Sequence, residues 1–344
     1  MSISTLPIDQ LGTYLESRVV GFHGLASAEK FPGGQSNPTF LLNADSGRYV
    51  LRRKPPGDLL KSAHAVDREF RVLSALKHTD VPVASPLVLC EDEDVIGSMF
   101  YVMDYVEGRV FWDQTLPGLS RDERVAIFDD LNRVLAAIHS VDVEASGLGD
   151  FGKPGNYFER QYHRWEKQYR LSETETIPAM EELIAWLGVN MVPDDGRVSL
   201  IHGDYRLDNV LLAPDAPRAL AVIDWELSTL GHPFADLAYQ CMQWRMPADD
   251  VARGFGDADR AALGLPDEEA YVEAYCRRMG LPGVENWTFY LAFSFFRLAA
   301  IAQGVMKRAL IGNASSDRAK AIGALVHPLS SKACEVIAQE GVPC

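Results

Sequence analysis

The segment LIHGDYRLDN, residues 200–209, groups one histidine, two aspartates and an asparagine between two short apolar runs. Such runs predict brief strands that flank a functional loop. Asp204 and Asn209 lie in this loop, and Asp224 ends the next apolar run, in VIDW. An isolated HGD triplet would fit a structural turn equally well. The order of carboxylate, amide and second carboxylate, however, is the minimum set for metal-dependent phosphoryl transfer.

Each residue type in this set suits a particular role. Asp204 would accept or orient the proton of a substrate hydroxyl, for which position matters more than basicity because the proton leaves late. Asn209 and Asp224 would bind Mg²⁺, which prefers hard oxygen ligands and keeps several waters. We expect His202 to brace the loop rather than act as a base, and Asp208 to shape the loop without binding metal.

A glycine-rich stretch upstream, FPGGQSNPT, is placed between two predicted strands. A loop that covers a triphosphate needs small residues, because its backbone N–H groups must approach the phosphates closely. The sequence therefore predicts that Gly33, Gly34 and Ser36 bind the nucleotide. Taken alone, the same stretch would more often be a plain hairpin turn.

A cation on the third predicted strand should reach the α and β phosphates, and a carboxylate on the following helix should hold it. Arg52, in YVLR, is the candidate cation, and Glu69, in VDREF, is its candidate partner. Lys54 shares the face of Arg52 along the strand and is the alternative. A solvent-exposed helix position remains the alternative interpretation of Glu69.

The segment FYVMDYVEG is typical of a strand that leads into a hinge. We predict that the Asp104 carbonyl and the Val106 N–H hydrogen-bond an adenine base, with Met103 at the back of the pocket. An ordinary buried strand would show the same local pattern.

The periodicity of apolar residues divides the chain into two parts. Residues 7–20 predict a helix, residues 26–54 predict three strands with DSG as a hairpin turn, and a helix and two more strands follow. Helical periodicity dominates beyond residue 108, over about 120–140, 156–171, 178–189, 234–245, 267–279, 286–311 and 316–339. The predicted fold is α+β, with a small antiparallel-sheet lobe (1–106), a larger helical lobe (107–344) and a ligand cleft between them.

Composition limits the class of function. The 344 residues carry a formal charge of −15 and no strong basic patch, which argues against a nucleic-acid partner. Five scattered cysteines without a CxxC pair argue against a disulfide framework or a zinc–thiolate site. The start has no signal-peptide pattern, and ENWTFYLAFSFFRLAAIAQGV, which contains Arg297, reads as a buried helix rather than a membrane span. We therefore expect a cytoplasmic location and no membrane partner, and the sequence suggests no protein partner.

These motifs resemble the aminoglycoside phosphotransferase and choline kinase branch of the kinase-like superfamily. FPGGQSNPTFLL, LLKSAHAVDREFRVLSAL, HGDYRLDN and VIDWELSTLGHPFADLAY are similar to the kinase-like module fused to some acyl-CoA dehydrogenases, over about residues 8–310. The resemblance implies a two-lobed protein-kinase-like fold, with Asp204 as the catalytic aspartate and Asn209 and Asp224 as magnesium ligands. It also implies that Asp236 braces the catalytic loop from a helix start. Arg52 departs from the family, which mostly has lysine there.

The leading hypothesis is a kinase that uses ATP and Mg²⁺ to phosphorylate a hydroxyl of a small molecule. The resemblance to the dehydrogenase-linked module implies a hydroxyacyl substrate, while an aminoglycoside or amino alcohol is the alternative acceptor. A catalytically silent nucleotide-binding protein is the alternative of another class, but such proteins typically lose one of the three acidic or amide residues that this chain retains. A metal-dependent hydrolase would need a second cluster of metal-ligating side chains.

Overall fold

The computed structural model describes residues 6–31, 37–55, 65–311 and 318–339. Its α+β architecture combines one antiparallel sheet with a larger, mainly helical part, as the sequence predicts. The predicted phosphate-covering residues Gly33, Gly34 and Ser36 lie outside the described residues. The division of the chain into lobes at residue 106 stays a prediction, although the five-stranded sheet ends at Asp104.

The N-terminal part is a five-stranded antiparallel sheet with the strand order β1-β2-β3-β5-β4. Alternating apolar residues of its strands bury one face against the first helix, where Leu11 and Leu15 are fully buried. The second helix covers the other side and packs toward β4 and β5. The elements are α1 (Ile8–Arg18), β1 (Leu25–Lys30), β2 (Thr39–Ala44), β3 (Gly47–Arg53), α2 (Val66–Leu76), β4 (Pro86–Cys90) and β5 (Phe100–Asp104).

The C-terminal part is built around one long helix, α9, most of which is buried. Although α9 has the length and apolar character of a membrane span, 78% of its most apolar window is buried inside the protein, and it packs against α4, α5, α6, α10 and α11. The helices are α3 (Arg121–His139), α4 (Tyr157–Ser172), α5 (Pro178–Val189), α6 (Phe234–Gln243), α7 (Arg260–Leu263), α8 (Glu268–Met279), α9 (Trp287–Leu310), α10 (Ala319–Ala324) and α11 (Val326–Gln339).

Three of these helices differ from the prediction. The single helix expected over 316–339 is divided into α10 and α11 at Leu325. Pro328 explains the division, because proline has no N–H to donate and is tolerated only in the first turn of a new helix. The short α7 is capped by the Asp259 side chain and by Gly264 in a left-handed conformation, and it is too short to produce a periodic signal.

Two small two-stranded antiparallel sheets position the polar loops of the C-terminal part. β6 (Ser199–Ile201) pairs with β9 (Thr229–Gly231), and β7 (Val210–Leu212) pairs with β8 (Ala219–Val222). Because Val210 lies opposite Val222, the residues just before β7 and just after β8 meet at the same end of the hairpin. The N–H of Ile223 donates to the Asn209 carbonyl over 2.9 Å, which joins the two loops there.

Gly203, directly after β6 and His202, allows the chain to turn sharply beside a neighbouring backbone. Its φ is +84°, a region that other L-residues rarely adopt, and a Cβ at this position would lie 2.6 Å from the Leu227 carbonyl oxygen. The turn therefore needs glycine both for its conformation and for the close approach of the two loops.

We expect Gly203→Ala to lower the free energy of unfolding more than Gly196→Ala does. Gly196 has a similar φ of +76°, but an added Cβ there meets open space. The control should lose about 1–2 kcal/mol from backbone strain alone, whereas Gly203→Ala should lose roughly a further 1–3 kcal/mol from overpacking. Urea unfolding of both variants measures the difference, and equal losses would contradict the importance of the close approach.

Candidate active site

The backbone of the loop after β6 is held by a buried carboxylate on α6. Asp236 is fully buried; its Oδ2 accepts from the N–H of His202 over 2.6 Å, and its Oδ1 accepts from the N–H of Gly203 over 2.8 Å. Burial acts to raise the pKa of Asp236, but the adjacent His139, His202 and the Gly203 N–H bring this pKa below its usual value. The structure thus places Asp236 where the sequence predicted a brace, near the start of a helix.

Two side chains hold the Asp204 carboxylate. The Tyr239 hydroxyl donates to Asp204 Oδ1 over 2.7 Å, and the Asn209 amide nitrogen donates to Oδ2 over 3.1 Å. The side chain is partly buried, and burial raises the pKa of Asp204 above its ordinary value, although Arg206 and Tyr239 act to lower this pKa. Asp204 can therefore accept a proton from a bound group in a fixed orientation.

Asn209 and Asp224 lie at the shared end of the β7–β8 hairpin. The Asn209 nitrogen also donates to the Asp204 carbonyl over 2.9 Å, so the amide oxygen points away from that loop. Asp224 adopts a left-handed conformation with φ +68°, which turns the chain out of β8. One amide oxygen and one carboxylate are hard ligands that fit Mg²⁺ when phosphates and waters supply the rest. Within the described ranges, no cluster of three or more His, Cys, Asp or Glu side chains could hold a metal.

Arg52 connects the sheet, α2 and the loop after β8. Its Nε lies 2.9 Å from Glu69 Oε2, although the two atoms are not aligned as a hydrogen bond. Its Nη2 donates to Asp224 Oδ1 over 2.6 Å and lies 3.5 Å from Glu226 Oε2. The pKa of Glu69 is raised to about 7, mainly by burial. The charge of Arg52 opposes this rise, and the charges of Asp224 and Glu226 add to it. Lys54 has no ion pair among the described residues, so the geometry favours Arg52 over this alternative.

The predicted hinge residues lie at the end of β5. In the β3–β5 register, Arg52 lies opposite Tyr101 and Val50 lies opposite Met103. Met103 is therefore two register positions from the residue opposite Arg52, and the two positions share one face of the sheet. Met103, Asp104 and Val106 are all half-buried. No described residue accepts from the Val106 N–H.

The loop residues that were predicted to be structural have structural contacts. The ring of His202 is buried, and its Nε2 lies 2.9 Å from the Ile223 carbonyl. Asp208 pairs with Arg206 through both carboxylate oxygens and with Arg253 Nη1 over 3.0 Å.

The sequence interpretation missed a set of arginines beside the loop, here called the arginine cluster: Arg206, Arg253 and Arg318. Burial lowers the pKa of Arg253, and the nearby charges of Arg206 and Arg318 lower it further, while Asp208 opposes them. The Arg253 guanidinium also lies over the ring of Trp112, 4.6 Å from its centroid, and this ring is 60% exposed. Two guanidinium groups, those of Arg206 and Arg253, therefore pair with the single carboxylate of Asp208, close to Asp204 in the chain.

Tyr239 and Arg297 were missed as well. Tyr239 follows Asp236 by three residues and so lies on the same face of α6, a spacing that FADLAY contains. Arg297 Nη2, on α9, donates to the Gly203 carbonyl over 2.7 Å. In the sequence, Arg297 is marked only as a charged residue within an apolar helix. That pattern does not predict that its partner is the Gly203 carbonyl.

Comparison with known proteins identifies the family. A model of the phosphotransferase enzyme family matches residues 27–275. The chain is 48% identical over 98% of its length to mouse acyl-CoA dehydrogenase family member 10 and 43% identical over 94% to rat acyl-CoA dehydrogenase family member 11. It spans only 32% and 42% of the length of these relatives.

Solved structures show the same fold. A crystal structure from Ralstonia eutropha, described as that of a candidate aminoglycoside phosphotransferase, is 50% identical, with a TM-score of 0.89 and coverage of 97% of this chain and 99% of that one. Aminoglycoside phosphotransferase APH(4)-Ia, in a ternary complex with AMP-PNP and hygromycin B, shares the fold at 17% identity, with a TM-score of 0.61 and coverage of 96% and 99%. The chain thus belongs to the phosphotransferase enzyme family and has the kinase-like fold of the aminoglycoside phosphotransferases.

Proposed function

We propose that this protein is an ATP- and magnesium-dependent kinase that transfers the γ-phosphoryl group to a hydroxyl of a small molecule. The observation that carries the proposal is the convergence of Asp204, Asn209, Asp224 and Arg52 from three separate segments. Asn209 contacts Asp204 over 3.1 Å, and Arg52 contacts Asp224 over 2.6 Å. These are the residue types that phosphoryl transfer requires, in one place.

Each of these side chains has a defined task in the proposed reaction. Asp204 accepts the proton of the acceptor hydroxyl. Hydrogen bonds from Tyr239 and Asn209 fix the orientation of the Asp204 carboxylate for this step. Mg²⁺, held by Asn209 and Asp224, would neutralise charge on the phosphates. Arg52, kept in place by Glu69, pairs with the α and β phosphates.

The nucleotide would bind between the sheet and the loops described above. The half-buried Met103 and the backbone of Asp104 and Val106 would contact adenine, since the Val106 N–H is available as a donor. The backbone of Gly33, Gly34 and Ser36 would cover the phosphates, as the sequence predicts.

The charge beside Asp204 favours an anionic acceptor over a cationic one. The arginine cluster repels an amino sugar but attracts an acid or a phosphate-bearing thioester, even though the whole chain carries −15. The exposed Trp112 ring offers an apolar surface next to these charges. Together with the similarity to proteins named acyl-CoA dehydrogenases, this supports a hydroxyacyl compound, such as a coenzyme A thioester, as the acceptor.

Asp204→Asn should abolish phosphoryl transfer and leave ATP affinity within about twofold, because the amide cannot accept the proton while the nucleotide contacts are unchanged. The test incubates both proteins with ATP, Mg²⁺ and a metabolite extract. Mass spectrometry should find a compound heavier by one phosphoryl group only with the unsubstituted protein. Equal formation of this compound by both proteins would contradict the assignment of Asp204 as the base, and its absence with both would favour a catalytically silent nucleotide-binding protein.

Asp224→Ala should remove the dependence of ATP affinity on Mg²⁺, because it removes the charged metal ligand. Calorimetric titration with ATP, with and without Mg²⁺, measures this coupling. Asp215→Ala is a matched control, since Asp215 is exposed in the turn at the opposite end of the same hairpin. If magnesium still strengthens ATP binding to the Asp224→Ala variant, the metal binds elsewhere.

Arg253→Met should raise the KM for hydroxyacyl-CoA acceptors by about tenfold or more and leave the KM for ATP unchanged. A hydrogen bond to a charged group contributes about 1.5–3 kcal/mol, and about 1.4 kcal/mol is a factor of ten. Steady-state kinetics with 2-, 3- and 4-hydroxybutyryl-CoA measures the change, and Arg277→Met, at an exposed site on α8, is the control. A preference of the unsubstituted protein for aminoglycosides would contradict the assignment of an anionic acceptor.

A further inference from the structure

We infer that Tyr239 is a positioning residue that fixes the orientation of the Asp204 carboxylate for phosphoryl transfer. The inference rests on the proposed function, because it assigns a partner to the proposed catalytic aspartate. Its basis is the 2.7 Å hydrogen bond from the Tyr239 hydroxyl to Asp204 Oδ1.

The contacts that hold the loop backbone leave the Asp204 side chain free to rotate. The N–H groups of His202 and Gly203 donate to Asp236, and the Gly203 carbonyl accepts from Arg297. The Asp204 N–H also donates to His202 Nδ1 over 3.2 Å. These contacts hold the backbone, and none fixes the side-chain torsions of Asp204. A separate contact must therefore set the direction of the carboxylate.

Asn209 is the other side chain that contacts this carboxylate, but it is not dedicated to that task. Its nitrogen is shared between the Asp204 carbonyl, at 2.9 Å, and Oδ2, at 3.1 Å, and its amide is also a proposed metal ligand. Within the described ranges, the Tyr239 hydroxyl has one partner, and its hydrogen bond is shorter. Burial and the nearby Asp204 raise the pKa of Tyr239, so the hydroxyl keeps its proton and remains a donor.

Tyr239 is itself held rigidly by two helices. It is only 4% exposed and lies one turn after Asp236 on α6. The helix therefore contacts the backbone of the loop through Asp236 and the side chain of Asp204 through Tyr239. From α9, the Arg297 guanidinium packs over the Tyr239 ring, 5.5 Å from its centroid, while donating to Gly203. A hydroxyl held in this way can donate to the Asp204 carboxylate from a fixed position.

The arrangement leaves the carboxylate able to act as a base. A carboxylate has about four lone-pair sites, and the two hydrogen bonds from Tyr239 and Asn209 occupy one site on each oxygen. The remaining sites are available to an acceptor hydroxyl. Tyr239 thus restricts the direction of proton acceptance without taking part in it.

Tyr239→Phe tests this inference, because it removes the hydroxyl and keeps the ring that packs against Arg297. Tyr271→Phe is the matched control: the Tyr271 hydroxyl is also buried and donates to a residue of α6, the Gln240 side chain, over 2.7 Å. The assay follows ADP formation from ATP and Mg²⁺ with 2-, 3- and 4-hydroxybutyryl-CoA as acceptors, and with water alone. Calorimetry and thermal melting measure ATP affinity and stability.

We expect Tyr239→Phe to lower kcat by about tenfold to a hundredfold, since a misplacement of about 1 Å can cost about a hundredfold in rate. Its KM for ATP, ATP affinity and melting temperature should match those of Tyr271→Phe, which should keep kcat within about twofold. A kcat for Tyr239→Phe within twofold of the unsubstituted protein would overturn the inference. So would a fall in kcat that parallels lower ATP affinity and a lower melting temperature, because that result indicates a purely structural role.

Asp204→Asn in the same assay separates this inference from the proposed function. If the unsubstituted protein forms ADP no faster than Asp204→Asn, the assignment of Asp204 as the base fails, and the inference about Tyr239 fails with it. If Asp204→Asn is inactive while Tyr239→Phe retains full kcat, the proposed function stands and only the positioning role is overturned.

Discussion

The hydrogen bonds from two consecutive backbone N–H groups to Asp236 are the constraint on which the site depends. A carboxylate with no exposure to solvent is costly to bury unless each oxygen is paired, and here both oxygens accept from the loop. His139, bonded in turn to Tyr275, approaches the same carboxylate. Because the buried charge needs these partners, a movement of the loop away from α6 would leave the Asp236 carboxylate buried without its hydrogen bonds. The position of Asp204 is thereby tied to the helical core.

The two halves of the site are joined by ion pairs as well as by a shared apolar core. Arg52 lies on β3 of the sheet, but its guanidinium reaches Asp224 and Glu226 in the C-terminal part as well as Glu69 on α2. Burial raises the pKa of Glu69; the charge of Arg52 opposes this rise, and the charges of Asp224 and Glu226 add to it. Arg52 therefore links the sheet to the loop after β8 and partly offsets the cost of burying Glu69.

The sequence predicts the elements and the polar motifs well, since both are local patterns. Apolar periodicity locates α3, α5 and α9 to within two residues, and HGDYRLDN followed by VIDW identifies the residues that the β7–β8 hairpin brings together. Prediction fails where a contact joins distant segments. Arg297 reaches Gly203 across 94 residues, and Arg253 reaches Asp208 across 45. No periodicity encodes such pairs, because they depend on how helices and loops pack in three dimensions.

The arginine cluster shows why net charge is a poor guide to the substrate. The total of −15 suggests attraction for cations, yet the side chains nearest Asp204 include Arg206, with Arg253 and Arg318 beyond it. Charges farther away than about 8–10 Å are largely screened at physiological ionic strength. Under the proposed function, the two arginines at Asp208 therefore act on an acceptor more strongly than the distant acidic surface does. An acidic protein can in this way bind an anion, provided that a few arginines are fixed beside the reacting group, and Asp208 fixes two of them here.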